Sequence, residues 1–134
     1  MITIVQEQYA KSVIETGDIV KSLSAQSSNN TKSVKDTAGN AYQVPVDRKF
    51  VIHSIMYLPS GAGSPQLRLW SSGSTDSASG TQILQDMEFR LTNDSSTVYI
   101  PFYCEIVAGQ YINSQASNSG EKIQIIVNGV ETDV

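Results

Sequence analysis

The stretch that decides the fold is Thr97-Val98-Tyr99-Ile100-Pro101-Phe102-Tyr103-Cys104-Glu105-Ile106. Val98, Ile100, Phe102, Cys104 and Ile106 take alternate positions, with Thr97, Tyr99, Pro101, Tyr103 and Glu105 between them. A period of two marks a β-strand with one face on a core. Pro101 has no N–H to give to a ladder, so this strand belongs at a sheet edge or at a bulge. Upstream, Phe50-Val51-Ile52-His53-Ser54-Ile55-Met56-Tyr57-Leu58 is almost continuously apolar. It reads as a central strand covered on both faces.

The same period extends along the chain. Further strands are expected at 2–8, 18–25, 42–46, 67–71, 110–114 and 122–127. The 83–91 segment admits a helix, with Leu84, Met87 and Leu91 at i, i+3 and i+7, or a strand. The strand places Ile83, Met87, Phe89 and Leu91 inward and Asp86, Glu88 and Arg90 outward, with Leu84 outward and Gln85 inward as misfits. It separates the charges more cleanly and is preferred. Residues 11–15 are ambiguous between a helical turn and a strand. Asn128-Gly129, between two β-rich runs, predicts a two-residue type I′ hairpin closing the chain. The stretches 24–33, 59–65 and 71–80, rich in Gly, Ser, Asn and Pro, read as flexible, solvent-facing connections. Eight to ten short strands without a strong helix predict an all-β fold: one antiparallel β-sandwich over 1–134, jelly-roll-like in connectivity.

Composition supports that class and narrows the function. The 134 residues carry nine Lys and Arg against thirteen Asp and Glu, a net charge of −4, and only 16% are charged. Nineteen Ser, nine Thr, seven Asn and ten Gln fill the gap, and 40% hydrophobic residues suffice for a core. An acidic chain without a basic stripe argues against nucleic-acid binding. No apolar run reaches the roughly 18 residues of a membrane-spanning helix. Met1-Ile2-Thr3-Ile4-Val5 lacks the basic start and apolar stretch of a secretory leader, and Cys104 is the only cysteine. Synthesis in a reducing cytoplasm is therefore expected, with no disulfide, metal or cofactor.

Catalytic signals are weak. His53 is the one neutral-pH base and sits inside the apolar strand, where a packed, hydrogen-bonded role is expected. Cys104 lies on the inward face of its strand and reads as a small buried hydrophobe. Asp86 and Glu88 share an outward face, without the apolar pocket that a paired-carboxylate acid needs. No enzyme is expected. Aromatics away from the core say more: Tyr99, Pro101 and Tyr103 project from one strand, and Trp70 shares a face with Arg68 and Gln66. Three readings fit them: packing on a second sheet, a subunit interface, or a sugar-stacking platform. The segment Ile2-Thr3-Ile4-Val5-Gln6-Glu7-Gln8-Tyr9 carries apolar groups on both faces (Ile2 and Ile4; Val5 and Tyr9). It suits either a strand held between sheets or an N-terminal arm, residues 1–9, pairing with another chain.

Two stretches resemble small β-sandwich virion proteins of tailed bacteriophages. Val44-Pro45-Val46-Asp47-Arg48-Lys49-Phe50-Val51-Ile52-His53-Ser54-Ile55 is similar to their entry into a central strand. Ile106-Val107-Ala108-Gly109-Gln110-Tyr111-Ile112, followed by 120–131, is similar to their closing strands. The resemblance is greatest to head-decoration (cement) proteins. It implies a homotrimer in the virion that braces the major capsid protein, with Ile2, Ile4, Val5 and Tyr9 in the contacting arm and no catalytic residue. The alternative is a carbohydrate- or receptor-binding domain, a fibre tip or adhesin, stacking sugar on Trp70 or a tyrosine.

Overall fold

The computed structural model describes residues 18–28, 30–60, 66–88, 98–116 and 122–134. Eight strands run through them: β1 (Ile19–Ser27), β2 (Lys32–Ser33), β3 (Arg48–Ser60), β4 (Gln66–Ser72), β5 (Thr81–Glu88), β6 (Val98–Ile106), β7 (Tyr111–Ala116) and β8 (Lys122–Asp133). They form two four-stranded sheets, ordered β1-β8-β3-β6 and β2-β7-β4-β5, with every pairing antiparallel. First pairs with last, second with seventh, third with sixth, fourth with fifth. This is one long hairpin rolled on itself, the jelly-roll order. The sequence expectation of an antiparallel jelly-roll sandwich is met.

Alternation builds the core between the sheets. From the first sheet come Leu23, Phe50, Ile52, Ile55, Tyr57, Ile106, Ile123, Ile125 and Val127. Leu67, Leu69, Leu84, Ile112 and Ala116 answer from the second, and Val34, Tyr42 and Val44 close one side. At one end Arg48 ties β3 to β8: its Nε donates to Glu131 Oε2 at 2.8 Å, and a guanidinium nitrogen pairs with Asp133. Tyr42 donates its hydroxyl proton to Glu131 Oε1 at 2.8 Å. Burial first, then the bond to Glu131 and its negative charge, push the Tyr42 phenol well above its ordinary value.

The structure corrects four local expectations. Asn128-Gly129 makes no turn, because β8 runs unbroken through it, paired with β1 on one side and β3 on the other. Gly129 lacks the positive φ of Gly39, Gly80 and Gly109. It is needed for close approach: a Cβ there would meet the Val51 carbonyl oxygen and the Phe50 ring. Residues 42–46 form no regular strand, only the isolated bridge of Gln43 to Tyr111 and single hydrogen bonds such as Val44 N to Gln110 O. In β5, Leu69 faces Leu84 while Trp70 faces Gln82, so Ile83 is an extra residue at a bulge. The bulge turns Leu84, expected outward, into the core, while Ile83 still packs against the core as expected. Finally, the 71–80 stretch is no loose connection, because Ser71 and Ser72 end β4 and Asp76 is hydrogen-bonded to Ser33. Residues 2–8 and 11–15 lie outside the described residues.

Candidate interaction surface

Among the described residues β6 is an edge strand of the first sheet, and it is bulged at Pro101, so both positions that Pro101 allows are met. Across its middle the sheet gains residues strand by strand. Asn128 and Gly129 are adjacent in β8, but their partners in β3, Ser54 and Ile52, are separated by His53. The partners of those two in β6, Pro101 and Cys104, are separated by Phe102 and Tyr103. Each added residue lengthens the strand nearer the edge, so the sheet bends there. At this bend the His53 and Tyr103 rings come together, with centroids 5.5 Å apart.

His53 is therefore exposed on the outer face, not packed in the core. The apolar run around it misled the reading, since the bulge re-phases β3: Phe50 and Ile52 face inward before it, Ile55 and Tyr57 after it. The outer face of β3 is thus only partly covered. Among the described residues, His53 has no hydrogen bond to a serine or a carboxylate, the constellation a serine nucleophile needs. Cys104 is half-buried and packs against the core with Phe102. Burial, and then the neighbouring Glu105 charge, raise its thiol pKa, the wrong direction for a nucleophile.

Tyr99 is 62% and Tyr103 78% exposed, with Pro101 exposed between them. Tyr99 stands in register with Met56, and Met56 with Ile126. Half-buried Met56, Leu58 and Ile126 line a shallow groove of about 160 Å³ on this face. Behind it a polar row crosses the sheet: Ser22 Oγ donates to Asn128 Oδ1 at 3.0 Å, and Asn128 Nδ2 to Ser54 Oγ at 3.4 Å. Charges stay at the margin, where Lys49 pairs with Glu105 at 3.4 Å. An aromatic patch with charges at its rim has the make-up of a protein–protein contact. Strand addition is a poorer use of this edge, because Pro101 and the bulge interrupt its ladder.

The other expected surface aromatic is placed differently. Trp70 pairs with Asn113 across the second sheet and is 8% exposed, and Arg68 is half-buried on the same strand. The 73–80 loop folds onto this sheet. Ser33 N donates to Asp76 Oδ1 at 2.8 Å, and Asp76 N donates to Ser33 Oγ at 2.9 Å. Ser33 Oγ donates to Asn113 Oδ1 at 2.6 Å, and Asn113 Nδ2 donates to the carbonyls of Ser74 and Ser77. Sequence reasoning missed this network, whose members are 43 and 80 positions apart. Trp70 thus offers no platform to a sugar, and Tyr99 and Tyr103 lie on the other sheet. The arm residues Ile2, Ile4, Val5 and Tyr9 lie outside the described residues. Among those described, no group of three or more His, Cys, Asp or Glu is placed to hold a metal ion.

No family model matches the chain, and no curated protein matches it. Solved structures with some likeness include a pentameric capsid protein from metagenomic phage sequences, at TM-score 0.36 and 14% identity, covering 85% of this chain and 62% of that one. Another is the capsid asymmetric unit of cyanophage Pam1, at 0.41 and 11%, covering 84% of each chain. A third is latent PorU of Porphyromonas gingivalis, at 0.40 and 12%, covering 85% of this chain and 13% of that one. This chain spans under two thirds of the first. At such scores and identities, the likenesses assign no role to it.

Proposed function

We propose that this chain is a non-enzymatic structural protein of a virion, a decoration protein that self-associates and braces the shell by binding the major capsid protein. The jelly-roll order alone does not choose this role, because viral shells, lectins and cupins share it. The observation that carries the reading is the exposed Tyr99–Pro101–Tyr103 face beside His53, on a hydrogen-bonded sheet, with the Lys49–Glu105 pair at its margin. In this reading the face is a contact between copies, the assembly is a trimer, and residues 1–9 reach the shell.

The test starts from particles made by the genome that encodes the chain. Mass spectrometry of purified particles should find the protein in fixed proportion to the major capsid protein. Its absence from intact particles would overturn the virion role. Light scattering coupled to size exclusion should give about three times 14.5 kDa for the free protein, or for the protein released from shells. A monomer in both settings removes the self-association. Deleting residues 1–9 should leave the fold intact and abolish shell binding; unaltered binding would sink the arm's role.

A further inference from the structure

Between β1 and the 35–41 turn lies a cleft of about 460 Å³, within the roughly 300–1,000 Å³ of small-ligand sites. Its lining includes Ser24, Gln26, Lys32, Lys35, Thr37 and Gln124, all exposed. Asp36 lines it too. A smaller hollow of about 180 Å³ shares Gln26 and Lys32 and adds Lys122. Lys32 and Lys35 have no ion pair among the described residues, whereas Arg48 and Lys49 do. Asp36 Oδ1 accepts the backbone N–H groups of Ala38 and Asn40 at 3.0 and 3.1 Å, so it serves its own turn. Two ammonium groups and one carboxylate leave the cleft at +1, in a chain of −4.

The walls are set by backbone bonds. Ser24 N donates to Lys35 O at 2.9 Å and Lys35 N to Ser24 O at 2.7 Å. Ser33, next to Lys32, is pinned to Asp76 and Asn113. A preformed wall lowers the ordering cost of binding. The Ser24–Lys35 bonds also occupy the β1 edge at this point, so a peptide has no free ladder there to extend. What remains for recognition is side-chain chemistry: two cations for a carboxylate, and amides and hydroxyls for neighbouring hydroxyl groups.

We propose that this cleft binds an acidic saccharide, a sugar bearing a carboxylate. The proposal is independent of the virion reading and of the aromatic face. Trigalacturonate is the probe, titrated into the full chain by calorimetry and by amide NMR. Its methyl ester serves as the uncharged counterpart, with inorganic phosphate and hexaglutamate as competing anions. Saturable binding is expected for trigalacturonate alone, with amide shifts at Ser24, Thr37 and Gly39. The Lys32→Gln/Lys35→Gln double variant should weaken it about tenfold or more with no change in melting temperature, while Lys49→Gln binds as the parent does. No saturable binding, equal binding of the ester, or an unaffected double variant would overturn the proposal. Equal binding of phosphate or hexaglutamate would also overturn it, by reducing the cleft to a non-selective basic patch.

Discussion

On the outer side of the second sheet Trp70 is 8% exposed, and on the outer side of the first Tyr103 is 78% exposed. Both residues sit on strands whose alternation turns them away from the core. The difference lies in what the chain does next. After β4 it folds the 73–80 loop back onto the second sheet and fastens it through Asp76, Ser33 and Asn113. No comparable network of described residues covers Tyr99, Pro101 and Tyr103. The outward aromatic beside the fastened loop is buried, and those on the face without such a network stay exposed.

The largest effect is expected at Trp70. Trp70→Ala should cost about 3–5 kcal/mol, as a large buried aromatic does, whereas Tyr103→Ala should cost about 0.5 kcal/mol or less. Urea unfolding of the two variants measures both. Equal costs would erase the distinction between a covered and a bare face. Asn113→Ala comes next, at about 1–3 kcal/mol, because Ser33 Oγ and the carbonyls of Ser74 and Ser77 lose their partner. Trp70 is the one tryptophan and pairs with Asn113, so its fluorescence tests whether the loop fastened to Asn113 shields it. The emission of Asn113→Ala should shift to the red in the native state. An unshifted spectrum would mean that the loop is not what shields the ring.

The sequence made the bare face legible and hid the covered one, for a physical reason. Val98 to Ile106 encodes its own two faces in its alternation, and Pro101 marks an edge or a bulge, so Tyr99 and Tyr103 come out on the face away from the core, while their exposure, with packing on a second sheet equally open, is decided only by the fold. Trp70 alternates just as clearly, but it is buried beside Asn113, whose bonds to Ser33, Ser74 and Ser77 no local pattern links. His53 and Leu84 were misplaced because a bulge shifts the phase by one residue, and a period-two reading carries no bulge signal. Asn128-Gly129 failed in the opposite sense. A strong local turn preference yielded to two complete ladders, and the glycine serves the approach of Phe50 and Val51 instead. The jelly-roll order was legible only as a class, because strand counts do not state which strands pair.

A smaller effect concerns the end of the sandwich where Tyr42 meets Glu131. The folded-state pKa of Tyr42 lies above the unfolded value of about 10. Its stabilising contribution is therefore complete below about pH 10 and shrinks as the unfolded chain alone ionises above it. Melting temperature should fall between pH 9.5 and 11 (roughly, from that reference pKa), and Tyr42→Phe should flatten the fall. A parallel decline in Tyr42→Phe would assign it to other groups.

The smallest effect on stability should accompany the largest effect on association. Replacing Tyr99 and Tyr103 together by serine removes two rings that mostly face solvent, so the unfolding free energy should change by about 0.5 kcal/mol or less per site. The same rings would sit at the centre of a subunit contact, where a few aromatic side chains carry most of the binding energy. The double variant should therefore keep the parent's melting curve at low protein concentration and lose its higher solution mass. Pro101→Val tests the other use of this edge. Restoring an N–H to β6 should leave the mass unchanged if side chains make the contact, and raise it if strand pairing does. A double variant that associates as the parent does would move the contact off this face, and Trp70 and Tyr103 would then differ in burial without differing in purpose.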